Sequence, residues 1–95
     1  MAKLAREEIQ TSLRDVNGWK VSRGKFIVKR FRFRNFKQAM RFVNRLASLA
    51  NKIGHYPGIS IQKYSDVVVS LTTYEEQGIT EHDFKFAKAI DRVRK

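Results

Sequence analysis

The sequence predicts an α+β fold, a four-stranded antiparallel sheet with helices packed on one face, in the order α-β-β-α-β-β-α. Apolar residues recur at helical spacing in three segments, and two pairs of short alternating runs lie between them. Turn signals join the members of each pair, which favours hairpins and antiparallel strands. Strand pairs separated by helices place the helices on one side of the sheet. The length of 95 residues predicts a single domain over residues 1–95.

The first segment, residues 4–16, is expected to be a helix. Ile9, Leu13 and Val16 fall at the i, i+4 and i+7 positions of one face. Gly18 supplies the left-handed conformation that commonly ends a helix.

Two strands are expected at residues 19–22 and 25–34. On the second strand, basic and aromatic residues share both faces. Either a bulge at Lys29-Arg30 shifts the alternation, or another subunit covers part of one face, or the strand is half-buried with a basic solvent face. Interleaved Phe and Arg also fit stacking and ion pairing with nucleic acid.

Residues 35–54 show the clearest helical pattern. Asn35 is placed to cap the start, and Gly54 supplies the stop. Phe42 and Leu49 lie on a second line, which is either the flank of a wide apolar face or part of a subunit contact. The main apolar stripe consists of Phe36, Ala39, Met40, Val43, Leu46, Ala47, Ala50 and Ile53.

The end of the chain predicts a hairpin and a helix. Residues 58–64 and 67–74 alternate as strands about a turn at residues 65–66. Thr80 begins the last helix, and Asp83 takes the place of Glu in a capping box. His82, in the first turn, is expected to be exposed and to have no role in a site.

Charge is unevenly distributed along the chain. The formal net charge is +11, and no Asp or Glu occurs between Asp15 and Asp66. Such a field either attracts phosphates, nucleic acid or another anion, or is a solvated surface without a dedicated partner. The basic residues of this interval are Lys20, Arg23, Lys25, Lys29, Arg30, Arg32, Arg34, Lys37, Arg41, Arg45, Lys52 and Lys63.

Several classes of site are disfavoured by composition. The chain has no cysteine, so disulfides and thiolate-metal sites are excluded. Phosphate-binding glycine loops, nucleophile elbows and zinc-spaced ligand sets are absent, and no metal site is expected. No apolar run approaches the roughly 20 residues of a membrane span. The N-terminus enters a charged segment rather than a signal peptide, so a cytoplasmic protein is expected.

The turn after the long helix is the best candidate for chemistry. His55 precedes Tyr56 and Pro57, and it is one of two histidines in the chain. A histidine near its ordinary pKa can move protons at neutral pH. Tyr56 and Tyr74 could flank it and stack on a flat heterocycle. From the residues alone, this turn is either a pocket for a planar polar ligand or a structural feature.

An ordered set of motifs over about Leu4 to Val93 resembles the pterin-4a-carbinolamine dehydratase family, also known as the dimerisation cofactor of a homeodomain transcription factor. The resemblance implies the same α-β-β-α-β-β-α order, with homodimers joined at sheet edges or homotetramers built through helices. The residues that carry it are Gly18-Trp19, Phe31-Arg32-Phe33, Phe36, Ala39, Phe42-Val43, His55-Tyr56-Pro57, Tyr64, Thr72-Thr73-Tyr74, Gly78-Ile79-Thr80, Asp83, Ala87 and Ile90-Asp91.

The turn departs from the usual pattern of this family. A charged residue usually stands four positions before a His-His-Pro or His-Asn-Pro turn, and here that position is Asn51. His55 matches the first histidine, Tyr56 stands at the second position, and Pro57 matches the proline. The resemblance therefore implies His55 and Tyr56 as catalytic residues and Pro57 as a substrate-binding residue.

The later site positions also match in part. Tyr64 matches an aromatic substrate-binding position, and Asp83 matches a catalytic aspartate that could equally only cap its helix. Tyr74 stands where a histidine, or sometimes a tryptophan, is usual, so the resemblance implies Tyr74 as a further catalytic residue. Tyrosine has an ordinary pKa near about 10, so it is a poor base at neutral pH, although it can donate a hydrogen bond.

The resemblance implies a hydro-lyase that removes water from 4a-hydroxytetrahydropterin, giving a quinonoid dihydropterin and supporting tetrahydropterin recycling. Such an enzyme requires no cofactor. With tyrosine at two usual histidine positions, we expect weakened activity, with His55 as the main acid/base. The alternative is a non-catalytic basic module on the same fold that binds nucleic acid or a protein partner, as a transcriptional coactivator does. A structural oligomer scaffold is a third possibility.

Overall fold

The computed structural model describes residues 2–94 and confirms the predicted order of helices and strands. The four strands form one antiparallel sheet in the order β1-β2-β4-β3. The elements are α1 (Arg6–Leu13), β1 (Lys20–Ser22), β2 (Phe26–Arg32), α2 (Phe36–Ile53), β3 (Gly58–Gln62), β4 (Asp66–Leu71), a 3-10 turn (Tyr74–Glu76) and α3 (Glu81–Arg94).

Strand β2 pairs with β4 without interruption, from Ile27 opposite Leu71 to Arg32 opposite Asp66. The bulge considered for Lys29-Arg30 is therefore wrong. Lys29 faces the helices because its Nζ lies 2.8 Å from Asp91 Oδ1 on α3. A charged residue thus occupies an inward position without a shift in the alternation.

The hydrophobic core lies between the sheet and the helices. Trp19 packs edge-on against Phe31, with ring centroids 6.1 Å apart. Its indole Nε1 donates a hydrogen bond of 3.1 Å to Asp91 Oδ2. Phe31 in turn packs against Phe42 of α2, with centroids 4.8 Å apart. These contacts join β2 to both long helices.

Helix α2 has the predicted caps, but its buried face differs from the predicted stripe. Asn35 Oδ1 accepts a 2.9 Å hydrogen bond from the Gln38 N–H, and Gly54 ends the helix at φ 78°. Phe42 is 1% exposed, so it belongs to the core, whereas Phe36 is 52% exposed. The buried line of α2 consists of Ala39, Phe42, Leu46 and Ala50.

The second hairpin turns earlier than residues 65–66. Lys63 and Tyr64 both adopt positive φ, 51° and 55°, which makes Tyr64 a turn residue. Strand β4 ends at Leu71, and Tyr74 starts the 3-10 turn instead of ending the strand. Two of the candidate site tyrosines therefore lie in turns.

Helix α1 is shorter than the predicted 4–16. After Leu13, the backbone N–H groups of Arg14, Asp15 and Val16 each bond to the carbonyl three residues earlier, so the helix tightens and stops. Val16 is nevertheless buried. Within residues 2–94, no helix combines the length and apolar character needed to cross a bilayer.

We predict that Phe42→Ala lowers the free energy of unfolding by about 3–5 kcal/mol, because it removes a buried ring and leaves a cavity. Phe36→Ala, the same change at an exposed position of α2, should alter it by less than about 0.5 kcal/mol. Urea unfolding followed by the fluorescence of Trp19 measures both. Equal losses would contradict the burial of Phe42, and Phe42→Leu serves if Phe42→Ala does not fold.

Candidate active site

The end of α2 and the start of α3 meet at a histidine–carboxyl pair. Gly54 stops α2 and places His55 directly after it, while Asp83 lies in the first turn of α3. The distance from His55 Nε2 to Asp83 Oδ1 is 2.7 Å. The His55 side chain is 16% exposed and that of Asp83 is 0% exposed. The pair thus has one member at the surface and one in the interior.

Asp83 uses both of its carboxyl oxygens. Oδ2 accepts hydrogen bonds of 2.9 Å from the Thr80 backbone N–H and 2.9 Å from the Thr73 hydroxyl. The bond from Thr80 is one half of the predicted capping box. Oδ1 is left for His55. Among the described residues, no buried side-chain nitrogen or oxygen lacks a partner, as expected for a site that tolerates a buried carboxyl.

The hydroxyl groups around Asp83 form a directional chain. Because Thr73 gives its one hydroxyl hydrogen to Asp83, the 2.8 Å contact between Thr73 and Thr80 requires Thr80 to donate. Thr80 Oγ1 in turn accepts the backbone N–H of His82 at 3.2 Å. The 73–80 segment and the first turn of α3 are therefore tied together behind the histidine.

The pairing with Asp83 fixes which nitrogen of His55 is available. A carboxylate accepts hydrogen bonds, so we assign the hydrogen of this pair to Nε2 of His55. Nδ1 is then the ring nitrogen available to a ligand. The ring also packs edge-on against Phe86, with centroids 5.7 Å apart. This contact and the hydrogen bond together limit rotation of the imidazole.

A cleft of about 350 Å³ opens beside His55. His82 lies in its wall, with its ring centroid 6.2 Å from that of His55. Sequence reasoning gave His82 no site role, because no local pattern shows that the first turn of α3 packs beside the end of α2. The one available signal was its position next to Asp83. The lining residues are Ile53, Gly54, His55, Thr73, Glu75, Glu76 and His82.

The structure brings His55 and Asp83 together but leaves the tyrosines at the surface. Tyr56, Tyr64 and Tyr74 are 60%, 69% and 70% exposed. In the part of the chain that the structure describes, none of them lines the cleft. Pro57 is half-buried beside Tyr56. The roles assigned to these four residues stay predictions.

A comparison with protein families matches residues 2–93 to pterin 4 alpha carbinolamine dehydratase. The chain belongs to this family. It is 39% identical over 93 residues to a relative from Sulfurisphaera tokodaii and 41% identical over 93 residues to one from Chloroflexus aggregans. Both alignments cover 98% of each chain. Both relatives carry the pterin-4-alpha-carbinolamine dehydratase name.

Two solved structures have the same fold. A transcriptional coactivator/pterin dehydratase from Brucella melitensis aligns with a TM-score of 0.90 at 32% identity, covering 98% of this chain and 99% of that one. A pterin dehydratase-like protein described as a RuBisCO assembly factor in the alpha-carboxysome aligns with a TM-score of 0.69 at 24% identity. That alignment covers 82% of this chain and 90% of the other and shows the fold alone.

We predict that Asp83→Ala lowers the free energy of unfolding by about 3 kcal/mol, because it removes the cap of α3 and leaves buried donors without an acceptor. Asp15→Ala is the matched control, since Asp15 is exposed and its loss should change stability by less than about 0.5 kcal/mol. Urea unfolding of the two variants measures the difference. Asp83→Ala as stable as Asp15→Ala would show that the network does not stabilise the fold.

Proposed function

We propose that this chain is a hydro-lyase that removes water from 4a-hydroxytetrahydropterin, giving the quinonoid dihydropterin and supporting tetrahydropterin recycling. The observation that carries the proposal is His55, which a buried Asp83 holds at the wall of a cleft in a chain of the dehydratase family. The reaction needs a proton for the leaving hydroxyl and an acceptor for the ring N–H proton. Nδ1 of His55, the ring nitrogen that the contact with Asp83 leaves available, would exchange such a proton.

Asp83 acts in this proposal through His55. It is 0% exposed and is absent from the lining of the cleft, so its carboxyl orients the imidazole and fixes its tautomer. Its contribution to catalysis is therefore one of positioning. A carboxyl that holds a histidine in this way is a recurrent arrangement where proton transfer requires a defined ring orientation.

The tyrosines and Pro57 would shape the outer part of the pocket. Tyr56 and Tyr74 supply hydroxyl donors and rings that can stack on a flat pterin, while Tyr64 supplies an aromatic substrate contact. Their exposure supports such a role, since their rings are available to a ligand. Because tyrosine is a poor base at neutral pH, we propose activity weaker than that of relatives with three histidines.

We predict that wild type accelerates dehydration of 4a-hydroxytetrahydropterin over buffer. His55→Gln should reduce that acceleration by about 10²–10⁴-fold, because glutamine keeps a donor for Asp83 but cannot exchange a proton. The rate of quinonoid dihydropterin formation at fixed enzyme concentration measures both. Lys88→Gln, on an exposed position of α3, is the control and should match wild type.

Two outcomes separate the parts of this proposal. If wild type does not exceed buffer, the chain is not a dehydratase. If wild type exceeds buffer and His55→Gln equals it, the enzyme assignment stands and the role of His55 is wrong.

A homodimer or homotetramer is a further part of the proposal. Strand β3 is at the edge of the sheet, and all five of its residues are exposed. Ile59 and Ile61 are among the exposed large apolar residues. An exposed edge with unpaired backbone groups and apolar side chains supports pairing with a second copy.

A second candidate function is a basic binding module, favoured by an arginine cluster away from the histidine cleft. Arg41, Arg45 and Arg94 line a separate cavity with Phe33 and Gln38, and no carboxyl group of residues 2–94 lines it. Arg94 stacks on the Phe33 ring at 4.4 Å and donates a 3.0 Å hydrogen bond to the Arg32 carbonyl. Anchored guanidinium groups of this kind suit phosphate recognition.

If this second function holds, the chain binds a labelled single-stranded oligonucleotide with affinity that falls steeply with added salt. The double variant Arg41→Gln, Arg45→Gln should reduce the slope of log affinity against log salt by about 0.7 for each lost phosphate contact. Fluorescence anisotropy at several salt concentrations measures it, with Lys88→Gln as control. An unchanged slope in the double variant would exclude this cavity as the nucleic-acid contact.

A further inference from the structure

The histidine cleft contains a second imidazole. His82 lies across from His55, with ring centroids 6.2 Å apart and ring planes tilted by 32°. Both side chains line the same cavity. A hydrogen bond spans about 3 Å between heavy atoms, so a ligand that occupies the cavity beside the two rings can bond to both. The two rings are therefore placed to serve one molecule.

His82 contributes to the fold through its backbone and not through its ring. Its N–H donates to Thr80 Oγ1 at 3.2 Å, which completes the helix cap. The imidazole itself has no hydrogen bond to any described residue, and its side chain is exposed. A different side chain at this position can therefore make the same cap. The fold therefore does not require histidine at position 82, and an acid/base side chain is nevertheless present there.

We infer that His82 is the second acid/base residue of the dehydratase site, and this inference rests on the proposed function. The family resemblance implies a histidine at position 74, where this chain has the exposed Tyr74. His82 supplies an imidazole to the cleft from the first turn of α3. His82 would thus supply the second imidazole of the site in place of the histidine that is usual at position 74.

The proton transfers balance when His82 acts as the general acid and His55 as the general base. His82 in its protonated form gives a proton to the 4a-hydroxyl as the C4a–O bond breaks, and water leaves. The adjacent ring nitrogen forms a double bond to C4a and loses its proton to Nδ1 of His55. His55 then releases a proton to solvent and His82 takes one up. The net change is the loss of one water, with no oxidation or reduction.

Carboxyl groups surround the two imidazoles. Glu75 and Glu76 line the cleft from the 3-10 turn. Glu81 and Lys85 flank His82 on α3, while Asp83 is engaged with His55. The division of roles between the two histidines rests on their positions: Asp83 holds the ring of His55 through Nε2, whereas no side chain among the described residues donates to or accepts from the ring of His82.

We expect His82→Gln to lower kcat by about 10²-fold with a smaller change in KM, as loss of one acid/base group predicts.

The pH dependence of the rate should distinguish the roles of the two histidines. A general acid must be protonated, so His82→Gln should lose the fall in rate at high pH. A general base must be unprotonated, so His55→Gln should lose the fall at low pH. Lys88→Gln, at an exposed position of α3 outside the cleft, should match wild type in kcat and at both ends of the pH profile.

A rescue experiment tests the replacement directly. Tyr74→His in the His82→Gln background returns an imidazole at the position usual in the family. It should recover part of the lost kcat and the fall in rate at high pH. Tyr74→Phe in the same background is the control and should recover neither.

A binding measurement keeps the inference separate from the proposed function. In ¹H-¹⁵N spectra of the imidazole groups, 7,8-dihydrobiopterin, a stable reduced pterin, should shift the signals of both His55 and His82. If His82→Gln keeps the wild-type kcat and the fall in rate at high pH, the inference is overturned while the dehydratase assignment stands. If wild type does not exceed buffer, the proposed function fails. Ligand-induced shifts at both histidines would then make His82 a binding contact and exclude it as an acid/base.

Discussion

The buried carboxyl of Asp83 is the interaction on which the candidate site depends. A carboxyl with no solvent exposure must find its partners inside the protein. Those partners come from three places along the chain: Thr73 after β4, the Thr80 backbone at the start of α3, and His55 after α2. The requirement that stabilises the start of α3 is therefore the same one that orients the imidazole. Any change that loosens this cap also loosens the site.

The local parts of this arrangement follow from the sequence. Caps and hairpins are encoded within a few residues, and the structure confirms the caps of α2 and the half of the capping box in which Asp83 accepts from the Thr80 backbone N–H. The sequence left a choice for Asp83 between a helix cap and a place in the site. The structure shows both contacts, because the two oxygens of one carboxyl point in different directions. Oδ2 accepts from the start of α3, and Oδ1 meets the histidine.

The parts that sequence reasoning missed depend on contacts between distant residues or on unusual backbone. Lys29 suggested a bulge because a charged residue on the inward face needs a partner, and that partner, Asp91, is 62 residues away and not visible in any local pattern. Phe42 joined the core because β2 presents Phe31 to it. The turn at Lys63 and Tyr64 uses positive φ at two residues other than glycine, so it carried no recognisable turn signal. His82 joined the cleft because α2 and α3 pack at their ends.

The acidic and basic residues line different cavities, so the net positive charge does not explain how a ligand binds in the histidine cleft. The net charge is +11, yet the histidine cleft is lined by Glu75 and Glu76 and, within residues 2–94, by no lysine or arginine. The arginine cluster lines a cavity that shares no residue with it. Exposed charges are screened over about 8–10 Å at physiological ionic strength. Arg41 and Arg45 precede Ile53 of the cleft wall on α2 by about 18 and 12 Å along the helix axis, so these exposed arginines are a poor means of drawing an anionic substrate into the cleft. A pterin ring in the cleft would be held by hydrogen bonds and packing, and a phosphate-bearing partner would bind on a different surface.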